Sequence, residues 1–516
     1  VAETVGLTIV SRGDPTLGLP RSRRRTMRAG DRSPAAGTPA PSQARGYRAA
    51  MLRRLAVFAT LAIAVVAAGC AVASRQSATR RPNLLVVVTD DQRWDSLGST
   101  GDARLRTPCI DQLAQDGVRF HNAFVTTAIC AASRASILTG QYEGTHGFTF
   151  GTPPLGDAHV AVSYPALLKQ AGYRTGFVGK FGVSTEKGAP ARMFDVFEPI
   201  GGPPAGKPGP AGARRHRCDH TGDRALAFLA GCRDDQPWCL SVSFHEPHAE
   251  DGDPRQYVWP SAFDQLYEGV DFAPPATMEP AFFAALPAFL RSSESRVRFG
   301  WRFDEPQKYQ RMVRGYHRLI AAVDANVGRL RDALRQRGMA DDTVIVFTSD
   351  NGYFLGERGF ADKWYAYEPS IRVPLLVVDP RAPTARRGAR CAAMALNVDL
   401  APTLLDLAGV AVPPAHQGRS LRPLLAGDAP ADWRRSFFYE HRFVHARIPR
   451  SEGLRTERHT YLRWIDQQPV VEELYDHVAD FDQTQNLAAD PAHAATLADL
   501  RAECDAGRAV YAAAAK

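Results

Sequence analysis

Asn83-Leu-Leu-Val-Val-Val-Thr89, running directly into Asp90-Asp91, is the stretch that decides the fold. An unbroken run of branched apolar residues is the pattern of a strand buried on both faces, as in a parallel sheet. A strand with one wet face would alternate instead. Comparable runs recur at 175–178, 240–244, 343–347 and 373–378, and 120–125 is a further candidate strand. Helical segments separate them: 107–117 closed by Gly117, a helix from Cys130 to a stop at Gly140, 165–171, a long helix over 309–338, and 398–408. This alternation predicts an α/β fold, a mostly parallel sheet flanked by helices on both faces. The tail 436–510 holds strand-like pieces at 437–439 and 461–464. A closing helix follows, with Asp490 as N-cap and Pro491 in its first turn. The expected division is a main domain over 81–425 and a smaller α+β subdomain over 426–512.

Polar groups follow these strands directly: Asp90-Asp91, Lys180, His245 with His248, and Asp350-Asn351. In an open parallel sheet the C-terminal strand ends form one rim, where ligands bind. One acid after one strand is ordinarily a helix cap or a turn residue. An acid pair and an acid–amide pair on one rim carry a like-charge cost unless a cation joins them. Three carboxylates and an amide oxygen are hard donors that suit Ca2+, with Mg2+ or Mn2+ second, better than Zn2+. Cys130 opens a helix four residues before Arg134. Alone it reads as a buried structural cysteine, or as a thiol that a helix N-terminus would ionise. Cation cage, lysines, arginine and histidine together describe the wall of an anion site, where cations stabilise charge on a transferring oxyanion.

These blocks, in this order, resemble a type I sulfatase of the alkaline phosphatase superfamily. The opening strand runs Arg81–Asp91. Cys130-Ala-Ala-Ser-Arg134 with Ala-Ser-Ile-Leu-Thr-Gly140 resembles the signature whose cysteine is oxidised to formylglycine. Gly179-Lys180, Pro247-His248, Ser349-Asp350-Asn351-Gly352, Lys363 with Tyr367-Glu368, and Val398–Val410 resemble the later blocks, and Glu473–Asp476 with Asn486–Ala488 the closing one. The resemblance spans about 81–510 and implies an alkaline-phosphatase-like sheet. It further implies a Ca2+ ion held by Asp90, Asp91, Asp350 and Asn351, with the modified Cys130 as a fifth group. Arg134 would steady the formylglycine hydrate, Lys180 and Lys363 would clamp sulfate oxygens, and His248, with Lys363, would serve the leaving oxygen as acid. One hydroxyl of the aldehyde hydrate would attack sulfur, and the second would expel sulfate by collapse.

Two positions depart from the family pattern. Ala132 stands where the recognition sequence for cysteine oxidation usually has Pro. Gly182 stands where many members have a His that assists the collapse, and His146 and His245 are the candidates to replace it. An N-acetylglucosamine-6-sulfatase-like branch also lacks that His. The block Tyr439-Glu-His441 through Thr456 resembles polysaccharide-directed members and favours sulfated sugars. Two alternatives stay open: a phosphodiesterase or phosphonate monoester hydrolase of the same fold, and an inactive sulfatase-like anion-binding protein if Cys130 remains a thiol. The 199–216 loop, the 250–300 insertion and the C-terminal unit are expected to shape the pocket mouth.

The chain has 516 residues, 45% hydrophobic and 23% charged, with formal charge +8. Residues 1–69 carry eleven Arg, no Lys and three acids, which accounts for the whole excess and leaves the body neutral. That removes the electrostatic case for a nucleic-acid partner. Residues 1–50 are Arg/Pro/Ala/Gly/Ser-rich and read as disordered or as an upstream segment preceding the true start. Met51-Leu-Arg-Arg54, the apolar run 55–68 and Ala67-Ala-Gly-Cys70 read as a signal peptide over 51–69 with a lipobox ending at Cys70, followed by a linker over 71–80. The expectation is an exported cell-envelope lipoprotein, or otherwise a secreted protein, matured by a formylglycine-generating enzyme. The chain has 8 Cys and no C-x-x-C. Cys218, Cys232 and Cys239 are spaced closely enough to supply one bridge.

Overall fold

Residues 81–204 and 215–513 are described by the computed structural model. The signal segment, Cys70 and the 71–80 linker lie outside them, as does most of the 199–216 loop. Eight strands build the central sheet: β1 (Asn83–Asp90), β2 (Val118–Phe120), β3 (Arg174–Gly179), β4 (Val196–Pro199), β5 (Trp238–Pro247), β6 (Thr343–Ser349), β7 (Leu375–Val378) and β8 (Ala389–Cys391). Their spatial order is β8-β2-β7-β6-β1-β5-β3-β4. Every pairing is parallel except those of β7, which runs against both β6 and β2. The mostly parallel α/β reading therefore holds. The candidate strand over 120–125 is divided: Val118–Phe120 joins the main sheet, while Ala123–Phe124 pairs with Ala395–Leu396 in a separate two-stranded sheet.

The apolar run of β1 is buried throughout. Leu84, Val86 and Val88 enter one core, and Leu85 and Val87 the other, as the two-residue period of a strand requires. Helices α1 (Pro108–Asp116), α3 (Arg217–Ala230) and α4 (Pro306–Gln336) pack on the second core. Helix α2 (Cys130–Thr139) packs on the first. α2 stops where the sequence predicts, on Gly140 in the left-handed conformation. Cys218, Cys232 and Cys239 are free thiols, so the spacing-based bridge does not form.

The C-terminal part is an antiparallel meander of β9 (Ser436–His441), β10 (Ser451–Thr456), β11 (His459–Trp464) and β12 (Val471–Asp476), followed by helix α5 (Ala494–Ala513). Asp490 caps the turn preceding α5 by accepting from Ala492 N at 2.9 Å. Trp464 and Leu474 of this meander share the first core with β1, and the described residues form one unit. No helix among the described residues is long and apolar enough to cross a membrane.

What this architecture places on one rim follows from register. Thr89 lies beside Ser349 and Val88 beside Ser243, so the ends of β1, β5 and β6 coincide. The pairing of β1 with β5 slips between Val88, opposite Ser243, and Asp90, opposite Pro247, an irregularity that puts the extra residues on β5.

Candidate active site

Four carboxylate or amide groups arrive from two neighbouring strands. Asp90 ends β1, and Asp91 follows in the left-handed region at φ 66°, a conformation short acidic side chains tolerate. Asp350 and Asn351 follow β6, tied back by Asp350 N donating to the Thr89 carbonyl at 3.1 Å. Asp91 N donates to Asp350 Oδ1 at 3.2 Å, and Asn351 Nδ2 donates to Asp91 Oδ1 at 2.7 Å. All four residues are buried.

Cations surround them. Lys180 follows β3 and pairs with Asp90. Its approach depends on Gly179, at φ 105°, where a Cβ would lie 1.9 Å from the Ser243 carbonyl oxygen. That same carbonyl accepts from Lys180 N at 2.8 Å. Arg134, one turn into α2, donates from Nε to Asp350 Oδ2 at 2.8 Å. Its Nη1 donates to the Lys180 carbonyl at 2.8 Å and to Ser243 Oγ. Lys363 donates to Asp91 Oδ1 at 2.5 Å and lies 3.5 Å from Asp362 Oδ1. It sits between two non-glycine residues at positive φ, Asp362 at 81° and Trp364 at 88°. Strain of that kind persists where packing aims a functional group. His248 Nε2 lies 3.7 Å from Asp91 Oδ2, and its Nδ1 donates to the Ala249 carbonyl at 2.5 Å.

The electrostatics follow from this crowding. Burial lifts Asp90, but the Lys180 ammonium, with Arg134, outweighs it and holds the carboxyl well below its ordinary range. Burial raises Asp91 to about 6, against the pull of Lys363. Burial and the neighbouring Asp90 raise Asp350 to about 7. Burial, then Lys363, lowers His248 to about 3, so its imidazole is neutral. Burial tends to strip the Lys363 proton, yet Asp91 and Asp362 overcome it and keep the ammonium charged.

Asp90 Oδ1, Asp91 Oδ2 and Asn351 Oδ1 are buried without a hydrogen-bond partner. Ligand atoms of Asp90, Asp91 and His248 lie within 4.8 Å of one another. Buried acceptors without donors are costly, and two carboxylates converging beside an imidazole fit a divalent cation.

Cys130, Lys180, His248 and Lys363 line the inner end of a cavity of about 510 Å3. Burial raises the Cys130 thiol above its ordinary pKa, with Lys180 and Lys363 opposing. The unmodified thiol is therefore held neutral, and the helix N-terminus does not ionise it. Of the nine sequence-derived residues, Cys130, Lys180, His248 and Lys363 line the cavity, and Arg134, Asp90, Asp91, Asp350 and Asn351 are linked behind it by the bonds above; the group of metal-type ligand atoms within 4.8 Å holds Asp90, Asp91 and His248, not Asp350 or Cys130. Gly182 also lines the cavity, at φ 70°, and a Cβ there would sit 3.0 Å from Arg134 Cδ. The left-handed backbone and the close Arg134 side chain disfavour a side chain there. Neither candidate substitute lines the cavity. His146 is buried against Ser136 and Phe148 N, and His245 keeps a buried Nδ1 without a partner.

Sequence reasoning missed Ser243, which holds Arg134, and Asp362, which joins Lys363 to Arg298 and Arg302. Ser243 is two residues before His245 on the same strand, and Asp362 adjoins Lys363. Strand periodicity places the first towards the same end of β5, but nothing in the spacing marks the second. The 250–300 insertion does reach the mouth, through Asp251, Glu294 and Arg298. The C-terminal unit does so through Phe443, His445 and Ile448.

Residues 82–410 match the family model described as Sulfatase, and residues 356–509 the model described as N-sulphoglucosamine sulphohydrolase, C-terminal. An N-acetylglucosamine-6-O-sulfatase of Bacteroides thetaiotaomicron is 30% identical over 493 residues, covering 81% of this chain and 85% of that protein. A multifunctional alkaline phosphatase superfamily protein of Trinickia caryophylli is 28% identical over 494 residues, covering 81% and 93%. A solved structure in complex with its substrate D-glucosamine-2-N,6-O-disulfate superposes with TM-score 0.70 at 27% identity, covering 84% of this chain and 98% of that one. A phosphonate monoester hydrolase from Silicibacter pomeroyi superposes with TM-score 0.69 at 27% identity, covering 83% and 95%.

Proposed function

The chain belongs to the sulfatase family, and on that premise we propose that it hydrolyses sulfate monoesters of sugars at a calcium and formylglycine centre built on Cys130. The observation that carries this reading is three unpartnered buried oxygens, on Asp90, Asp91 and Asn351, directly behind Lys180 and Lys363, which pair with the two acids and line a cavity together with Cys130. Asp90, Asp91, Asp350 and Asn351, with residue 130 beside them, are the groups that would hold the ion. When bound it supplies charge that compensates the sulfate and lowers the pKa of an adjoining hydroxyl. Oxidised to formylglycine, residue 130 supplies a hydrated aldehyde as nucleophile.

The protein's own groups do the rest. Arg134, anchored by Asp350 and Ser243, holds the residue 130 end of α2 against the acids. The ammonium groups of Lys180 and Lys363 engage sulfate oxygens and gain strength from the low-dielectric surroundings. His248 has its one proton on Nδ1, donated to the Ala249 carbonyl, so Nε2 must acquire a proton before it can protonate a leaving oxygen. Protonated Lys363, in whose field it lies, completes that acid pair.

Sulfated sugars are favoured by the 30% identical relative, whose name is N-acetylglucosamine-6-O-sulfatase. A phosphonate monoester hydrolase is the second reading, favoured by the superposition on the Silicibacter enzyme. Export through the 51–69 segment, a lipid anchor at Cys70 and maturation by a formylglycine-generating enzyme complete the proposal, and they rest on the sequence.

The test is product release by protein from a host with formylglycine-generating activity, alongside the mass of the Cys130 tryptic peptide. Sulfate release from N-acetylglucosamine 6-sulfate and 4-nitrophenyl sulfate, with the lower formylglycine mass, is the expected result. Faster turnover of phenylphosphonate esters than of every sulfate ester would favour the second reading. An unmodified thiol in the native host would make the protein an anion binder.

A further inference from the structure

The cavity has two chemically different ends. Its inner end is cationic, with Lys180, Lys363 and His248. Its outer end is aromatic and charge-balanced. Phe150 is 50% exposed there, an unusual position for a large apolar ring. Its ring lies 5.3 Å from that of Phe443, which in turn lies nearly parallel to His445 at 5.9 Å. The segment carrying Phe443 and His445 is fixed to the catalytic body: Glu294 N donates to the Arg447 carbonyl at 2.8 Å, and the two side chains pair at 2.6 Å. The aromatic wall is thus a held surface and not a loose loop.

The outer polar groups are already paired. Arg298 meets Asp251 at 2.8 Å and Glu294 at 3.1 Å, and it also pairs with Asp362. Arg302 also pairs with Asp251 and Asp362, and Arg447 with Glu294, so three acids and three guanidiniums neutralise one another and each guanidinium is already engaged. The exposed carboxylate oxygens of Asp251 remain acceptors for hydroxyl donors. An apolar ring face above a few fixed polar groups is the composition of a site for a ring with one C–H face and several hydroxyls.

We propose that this outer end is a pyranose subsite, with Phe150 and Phe443 stacking on the ring and the Asp251–Arg298 pair reading its hydroxyls. By its charge balance it selects a sugar bearing no second anionic group. The proposal rests on the sulfatase reading and names the substrate class of that same site.

The test compares kcat/KM of the metal-loaded, formylglycine-containing enzyme on N-acetylglucosamine 6-sulfate, glucosamine-2-N,6-O-disulfate and 4-nitrophenyl sulfate. The wild type is expected to prefer the monosulfate over the disulfate by about tenfold or more. Asp251→Asn removes the acid that Arg298 and Arg302 share at the mouth, leaving a net positive charge, and should raise the disulfate-to-monosulfate ratio about tenfold, a change that simple loss of structure would not give. Phe443→Ala and the half-exposed Phe150→Ala should raise KM for the monosulfate about tenfold with a smaller change in kcat. A wild-type preference for the disulfate overturns the proposal, as does an Asp251→Asn ratio that does not move. If 4-nitrophenyl sulfate is cleaved while these ratios fail, only the subsite is wrong. If no sulfate ester is cleaved, the sulfatase reading falls and the subsite with it.

Discussion

Asn351 Nδ2 donates to Asp91 Oδ1 at 2.7 Å, joining residues 260 positions apart in the chain. The amide spends its donor on the acid and on the Gly352 carbonyl, and Asn351 Oδ1 and Asp91 Oδ2 stay buried with no donor on either. A cation bound there stabilises the folded state by mass action, about 3 kcal/mol at a hundredfold excess over its Kd. Chelation should therefore lower the thermal midpoint by a few degrees, and calcium should restore it more fully than zinc. Differential scanning calorimetry reads this independently of turnover. A midpoint indifferent to chelator would remove the cation from the site.

Arg134 is the second test, because it neutralises the carboxylate least able to ionise alone. Asp350 stands at about 7 with burial and Asp90 both raising it, and Arg134 is the first charge opposing them. Arg134→Ala leaves a buried acid without its partner, a class of change that costs about 3–5 kcal/mol. The expected outcome is that loss in denaturant unfolding together with a drop in turnover of at least a hundredfold. Arg134→Lys should recover part of the stability but little of the turnover, since one ammonium cannot reach Asp350, the Lys180 carbonyl and Ser243 together.

Much of this site was legible because strand ends advertise it. The apolar runs before Asp90, Lys180 and Asp350 locate the rim, and chain order then puts the groups on one side of the sheet. What was not legible is whatever depends on side chains meeting across elements. Asp362 reads as an ordinary acid beside a lysine, yet it gathers Arg298 and Arg302 from a distant helix. β7 reads as one more buried strand, and nothing in its composition discloses that it runs antiparallel, since residues buried on both faces look alike in either direction. The second and fourth strands of the C-terminal meander, β10 and β12, carry Glu, Arg and Gly in place of a clean apolar pattern, so only the strand-like pieces at β9 and β11 stood out.

Gly182 gives a prediction against family habit. Installing the histidine that many relatives carry should impair the enzyme, because φ 70° disfavours any side chain and a Cβ would press on Arg134 Cδ at 3.0 Å. Gly182→Ala and Gly182→His should each destabilise by about 1–2 kcal/mol, the cost of the left-handed conformation. Both should lower kcat/KM about tenfold through Arg134. Enhanced turnover in Gly182→His would show that the loop adapts.

A buried acid pair outside the site sets a pH dependence of stability. Glu143 accepts from Thr127 Oγ1 at 2.7 Å, and Glu440 accepts from Gly144 N at 2.6 Å. Burial, then the nearby Glu440, raises Glu143 from 4.5 to about 8. The folded protein then keeps a proton that the unfolded chain has lost, so stability falls as pH rises between about 4.5 and 8, by up to about 1 kcal/mol per unit. Glu143→Gln should flatten that slope and leave the protein more stable than wild type at pH 8. Thermal midpoints across this window read the difference.

The leaving group decides the role of His248. A sugar alkoxide is a poor leaving group and needs a proton as the S–O bond breaks, whereas 4-nitrophenolate leaves nearly unaided. If His248 serves the leaving oxygen, His248→Ala should cost about a hundredfold or more in kcat on a sugar 6-sulfate and much less on 4-nitrophenyl sulfate. Lys363→Ala should be severe on both, because Lys363 also holds sulfate oxygens and balances Asp91 at 2.5 Å. Equal losses for His248→Ala on the two substrates would assign His248 to sulfate binding and leave Lys363 as the acid.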